Sequence, residues 1–177
     1  HLPEETLRIC EGADAILFGS VGGKVSEQSE EKWRDAEKNS LLGIRKAFKL
    51  SVNLRPALVY PGLKDLCPLK EDRIAGGVDL LIVRELTGGI YFGEPREIVE
   101  IDEGKRAVDT MLYTSQEIER AVRVAFEAAS SRRGRLVSVD KANVLDCSKL
   151  WREVVDRVAQ DYPEVEYQHM LVDNAAM

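Results

Sequence analysis

Three arginines, a tyrosine and a lysine are the residues of this sequence best suited to handling a small anion. Arg45 stands in "LLGIRKAFKL" and Arg55 in "VNLRP". Arg84 and Tyr91 share the stretch "VDLLIVRELTGGIYFGEPRE", and Lys141 lies in "VSVDKANVL". Each guanidinium offers a planar fork that matches a carboxylate. If Arg45, Arg55 and Arg84 converge, they form a cage for a dianion or for two carboxylates. Leu41 and Leu42 precede Arg45 at helical spacing, which puts leucine side chains and the guanidinium on one helix face and gives the cage an apolar wall. Such a pocket suits a small dicarboxylate with a branched alkyl group. Lys141 and Tyr91 are the proton-transfer candidates. A lysine beside several arginines in a partly dry site becomes a usable base, and a phenol can donate a proton to a carbanion or enolate. The competing readings are three surface arginines on separate faces, Tyr91 as a packed aromatic, and Arg84–Glu85 and Asp140–Lys141 as ion pairs within the fold.

The elements that must position these groups follow from pattern. "VDLLIV" has no polar alternation, which predicts a strand buried on both faces. It ends at Arg84, and the Gly88-Gly89 pair allows a turn tight enough to bring Tyr91 back toward that arginine. "RLVSV" predicts a second strand, ending at Asp140-Lys141. In α/β sheets ligands sit beyond the carboxyl ends of the strands, where both charged pairs fall. "DAILFGSVGG" and "VEYQHMLV" read as further strands. Glu4 to Cys10 reads as a short helix closed by Gly12. Lys24 to Asn39 reads as a loop with at most a helical turn. Ser40 is expected to cap a helix running to about Leu50, and Ser148 to cap one ended by Pro163. Thr114 to Glu117 forms a capping box, followed by apolar residues at helical spacing from Ile118 to Ala129 and by Arg132, Arg133 and Gly134 at the end. "EIVEIDEGKRAVDTML" alternates about a turn at Asp102, Glu103 and Gly104, and so predicts a two-stranded arm. Strands alternating with helices imply an α/β fold.

Bulk properties narrow the function classes. The 177 residues are 44% hydrophobic and 32% charged, with a net charge of −6. No basic stripe suggests nucleic acid, and no apolar run reaches the roughly 18 residues of a membrane helix. Cys10, Cys67 and Cys147 are odd in number and lack C-x-x-C spacing, which predicts reduced thiols in a cytoplasmic protein rather than disulfides or a zinc site.

"LLGIRKAFKLSVNLRPALVYPGL", "VDLLIVRELTGGIYFGEPRE" and "VSVDKANVLDCSKLWREVV" together resemble the β-decarboxylating dehydrogenases, the isocitrate/isopropylmalate dehydrogenase family. The resemblance runs from "GADAILFGSVGG" to "HMLVDNAAM". Leu41-Leu42 before Arg45 resembles the isopropylmalate branch, since the isocitrate enzymes place Ser and Asn there to meet a third carboxylate. The resemblance implies a partial two-domain α/β fold, with residues 1–53 in the nucleotide-side domain and 54–177 in the dimer-forming domain. It implies that Arg45, Arg55 and Arg84 hold two carboxylates and that Leu41 lines an isopropyl pocket. It gives Lys141 the removal of the C2 hydroxyl proton and Tyr91 the protonation of the enolate. It places Asn143 and Gly23 near NAD. Mg²⁺ or Mn²⁺ is the implied metal, with ligands beyond Met177. It also implies a homodimer with a shared active site, in which Lys141 reaches the partner's pocket and the arm pairs with its counterpart.

The implied reaction is NAD-dependent oxidative decarboxylation of 3-isopropylmalate in leucine biosynthesis. The alternatives are a sister enzyme acting on tartrate, malate, homoisocitrate or isocitrate, or a non-catalytic dimerisation fragment. The segment from Gly23 to Leu41 departs from the family loop, with Lys38 standing where an acidic residue is expected and Glu37 beside it. The sequence reads as an internal stretch of a longer protein, so this polypeptide alone is expected to lack dehydrogenase activity.

Overall fold

A computed structural model describes residues 2–27, 30–33, 36 and 38–177. They form two compact units, His1–Leu50 and Ser51–Met177, each treated by itself.

In the first unit, α1 (Glu4–Glu11) carries Glu4 and Glu5 in its first turn and Arg8 in its last, matching the helix dipole, and ends at Gly12. The strand expected in "DAILFGSVGG" does not form. The segment carries no strand pairing among the described residues, and Leu17 is fully exposed. An apolar run becomes a strand only beside a neighbour that completes its ladder. Short 3₁₀ turns follow at Val25–Glu27 and Glu31–Trp33. Glu37 lies outside the described residues. A π-turn over Lys38–Leu42 runs into α2 (Gly43–Ala47). Ser40 therefore sits inside the helical stretch rather than capping it, and its hydroxyl donates to the Ala36 carbonyl at 2.5 Å. The helix stops short of Leu50, with Lys49 in the left-handed region at φ 51°. The Leu50 N–H instead closes onto the Arg45 carbonyl at 2.9 Å.

In the second unit, β1 (Val52–Leu58) is followed by the short α3 (Glu71–Ile74) and by β2 (Asp79–Glu85), which pairs with β1 antiparallel. Then β3 (Arg96–Ile101) and β4 (Gly104–Asp109) form the expected hairpin, closed by Asp102 and Glu103. Next come α4 (Ser115–Ser130), β5 (Arg135–Asp140), α5 (Asp146–Ala159), β6 (Glu166–Leu171) and α6 (Val172–Ala176). β5 and β6 pair in parallel, joined by α5 as a βαβ connection requires.

The core lies among α4, α5 and the β5–β6 pair. Ile118, Phe126, Val154, Val155 and Val158 are fully buried, and Phe126 stacks on Tyr162 with ring centroids 5.2 Å apart. Each such side chain stabilises the fold by about 1.5–3 kcal/mol relative to exposure. The capping box starts α4: the Thr114 hydroxyl accepts from the Glu117 N–H at 3.3 Å, and the Glu117 carboxylate accepts from the Thr114 N–H at 2.8 Å. At the other end the Gly134 N–H, at φ 65°, donates to the Ala129 carbonyl at 3.0 Å. Arg132 and Arg133 both clamp Asp79 at the start of β2, at 2.6 and 3.2 Å.

Two expectations are overturned here. Ser148 does not cap α5; it lies in the first turn and receives the Lys141 N–H at 3.1 Å. Nor is β2 covered on both faces, because Leu80 and Ile82 are 56% and 54% exposed. The open side of β2 faces β5 across an apolar groove of about 540 Å³, lined also by α4 and Trp151.

Candidate functional site

The β1–β2 ladder brings Arg55 and Arg84 to one face. Asn53 stands opposite Arg84 and Arg55 opposite Ile82, and directly opposed residues share a face, so the two arginines are diagonal neighbours. Asn53 lies between them and accepts the Arg55 Nε at 2.5 Å. Sequence reasoning passed over Asn53, although its i, i+2 spacing to Arg55 on a strand carried the signal. Neither arginine forms an ion pair among the described residues. Arg45 lies half-buried on α2 of the first unit, beyond Leu41, also half-buried.

Beyond β2 the chain turns sharply. The Arg84–Glu85 pair does not form. The buried Glu85 carboxylate instead accepts the Thr87 N–H at 2.5 Å, the Gly88 N–H at 3.0 Å and the Thr87 hydroxyl, so it organises the turn. Gly88 and Gly89 press against Tyr113. A Cβ on Gly88 would meet its ring at 2.7 Å, and one on Gly89 would meet its hydroxyl at 2.5 Å. Gly89 also has φ 81°. Steric exclusion and a left-handed backbone thus both require glycine there. The turn returns Tyr91 toward the strand, with the Arg84 guanidinium 5.6 Å from its ring centroid, in cation–π range. The ring stays 55% exposed. Tyr113 was not singled out from sequence. Burial first, and then the Glu85 charge, push its phenol above the ordinary value.

Beyond β5 the charges pair within the fold, but not with each other. Arg152 grips the Asp140 carboxylate at 2.7 and 3.1 Å, and the Ala142 N–H donates to it at 2.8 Å. Burial works to raise the Asp140 carboxyl; the Arg152 and Ala142 hydrogen bonds, with the charges of Arg152 and His169, outweigh it and hold the pKa below the ordinary carboxylate value. Lys141 forms an ion pair with Asp173, so the charge its ammonium meets within this chain is a carboxylate. The hydrogen bond from Lys141 lowers the Asp173 carboxyl. Asn143 is exposed in the same loop.

Gly23 packs under an indole: a Cβ there would run into the Trp33 ring at Nε1. Among the described residues no group of three or more His, Cys, Asp or Glu gathers to hold a metal ion. Asp173 is a carboxylate beside Lys141 that could supply one oxygen. Cys10, Cys67 and Cys147 are free thiols. Among the described residues no helix is long and apolar enough to cross a membrane.

Residues 1–177 match the family model described as isocitrate/isopropylmalate dehydrogenase. The chain is 54% identical, over 99% of its length, to the 3-isopropylmalate dehydrogenase of Syntrophotalea carbinolica and 55% identical to that of Symbiobacterium thermophilum. It spans about half the length of these curated relatives, 48% and 47% respectively. Among solved structures, the isocitrate dehydrogenase of Methylococcus capsulatus superposes with a TM-score of 0.72 at 30% identity, over 99% of this chain and 48% of that one. The apo β-decarboxylating dehydrogenase of Thermococcus kodakarensis gives 0.67, also at 30% identity, over 97% of this chain and 43% of that one.

Proposed function

Because this chain belongs to the isocitrate/isopropylmalate dehydrogenase family, we propose that it forms part of a 3-isopropylmalate dehydrogenase of leucine biosynthesis. The observation that carries this reading is its 54–55% identity across 99% of its length to enzymes of that name. NAD would take the hydride, and a divalent cation would polarise the oxygen at C2. In this reading Arg55 and Arg84 bind the substrate carboxylates, supported by their shared face and their lack of ion-pair partners among the described residues. Arg45 joins them, and Leu41 meets the isopropyl group. Lys141 accepts the proton of the C2 hydroxyl as that carbon is oxidised. Loss of carbon dioxide from the resulting β-keto acid leaves an enolate, and Tyr91 protonates it. Asn143 lies toward the nicotinamide. The enzyme works in the cytoplasm as a homodimer, with the β3–β4 hairpin pairing between subunits and Lys141 serving the partner's pocket.

A substrate panel on the full-length enzyme tests this. NADH production is expected with 3-isopropylmalate, with malate, tartrate, homoisocitrate and isocitrate weaker. A leucine wall that meets an alkyl group discriminates by about 1–3 kcal/mol, or roughly 10- to 200-fold in kcat/KM. Preference for isocitrate or tartrate would reject the substrate assignment while leaving the family intact. Arg84→Gln is expected to raise KM steeply, because it removes a carboxylate-binding fork; an unchanged KM would remove Arg84 from the site.

A further inference from the structure

We propose that Arg152 is a positioning residue for Lys141 and acts through Asp140; the inference rests on the reading of Lys141 as the proton acceptor. Lys141 is fastened by its backbone on every side. Its N–H donates to Ser148 Oγ at 3.1 Å, and its carbonyl accepts the N–H groups of Val144 at 3.0 Å and Leu145 at 2.9 Å. The preceding side chain, Asp140, reaches across it to the Ala142 N–H at 2.8 Å. That carboxylate is 2% exposed, and among the described residues its only close countercharge is the Arg152 fork. His169 on β6 faces it from farther off, with Nδ1 at 4.0 Å, while His169 Nε2 is taken by Asp156 at 2.8 Å. Ser148 and Arg152 are one turn apart on α5, so a single helix face holds both the Lys141 N–H and the Asp140 carboxylate.

Without Arg152 the Asp140 carboxylate is a buried charge with one backbone donor. A charge left in that state is strongly unfavourable and must draw in water or take a proton. Either change loosens the bridge to Ala142 and frees the peptide on both sides of Lys141. A small backbone shift grows along a four-carbon side chain, and an ångström at a reacting group can reduce the rate about 100-fold. A merely structural Arg152 would lower stability and leave the folded enzyme's turnover alone.

The test uses the full-length enzyme with Arg152→Met, Arg152→Lys, Lys141→Met and the Arg152→Met/Lys141→Met double variant. Each is assayed on 3-isopropylmalate below its melting temperature. Arg152→Met is expected to lower kcat about 10- to 100-fold with KM within about twofold, and Arg152→Lys to recover part of the loss. In the Lys141→Met background the same change should cost nothing further, because both act on one step. An unchanged kcat in Arg152→Met, or a loss that multiplies in full onto Lys141→Met, overturns the positioning role alone. Wild-type turnover in Lys141→Met overturns the role of the lysine itself. If Arg152→Met does not fold, Asp140→Asn weakens the same grip while retaining an acceptor for Ala142. It should give a smaller kcat-only loss, and an unchanged kcat overturns the proposal.

Discussion

The loops after β2 and β5 follow two similar apolar strands but are held by different means. After β5, side chains from neighbouring elements do the holding: Arg152 and Ser148 come from α5 and Asp173 from α6, and Asp140 is nearly sealed. After β2, the chain holds itself. Glu85 folds back onto Thr87 and Gly88, and the glycines lie against Tyr113. The first arrangement fixes a backbone and projects one lysine from it. The second leaves Tyr91 largely exposed, beside two arginines that form no ion pair among the described residues.

This contrast can be broken at several places. The largest effect is expected from the cores behind the two loops. Phe126→Ala should destabilise by about 3–5 kcal/mol, because the ring is fully buried among α4, α5 and the β5–β6 pair. Leu80→Ala, on the open side of β2, should cost well under half as much, since that side chain already meets solvent. Urea unfolding of the two variants gives both numbers, and equal losses would show that the β2 face is covered after all.

A smaller loss is expected from Gly89→Ala. A Cβ there meets Tyr113 at 2.5 Å with φ at 81°, so the change should cost about 1–3 kcal/mol and displace Tyr91. The same measurement, together with a change in Tyr91 fluorescence or NMR shift, sharpens the claim that the second loop is held by glycine contacts. A neutral substitution would refute it.

The smallest effect is a pH dependence of stability from Asp140. Its folded pKa is lowered, so the unfolded chain binds the proton at higher pH than the folded one. The stabilisation is therefore complete above the unfolded carboxylate value of about 3.9 and is lost as pH falls below it through the folded value. Asp140→Asn should flatten that acid limb of the stability curve; an unaltered limb would mean that Arg152 does not favour the charged carboxylate.

Features set by near neighbours in the chain were readable without coordinates. The Thr114–Glu117 box, the hairpin about Asp102 and Glu103, and the buried stripe of α4 each depend on residues a few positions apart. The turn from Arg84 to Tyr91 was readable for the same reason, since paired glycines admit few backbone paths. Where the sequence misled, the deciding contact lay elsewhere. Ser40 and Ser148 have the chemistry of caps, but where the helices begin depends on packing, and each hydroxyl found another backbone partner. "DAILFGSVGG" has the composition of a strand and, among the described residues, lacks a neighbour with which to form one.

By itself, the sequence determined which residues have the chemistry suited to an anion or a proton, and the family to which the chain belongs, because both are properties of side-chain chemistry and local order. Only the tertiary structure decided which charges are spent on one another. Arg152 and Asp140 lie twelve residues apart, and Lys141 and Asp173 thirty-two. Such partners meet only when a helix crosses between parallel strands, and no local rule of spacing encodes that encounter.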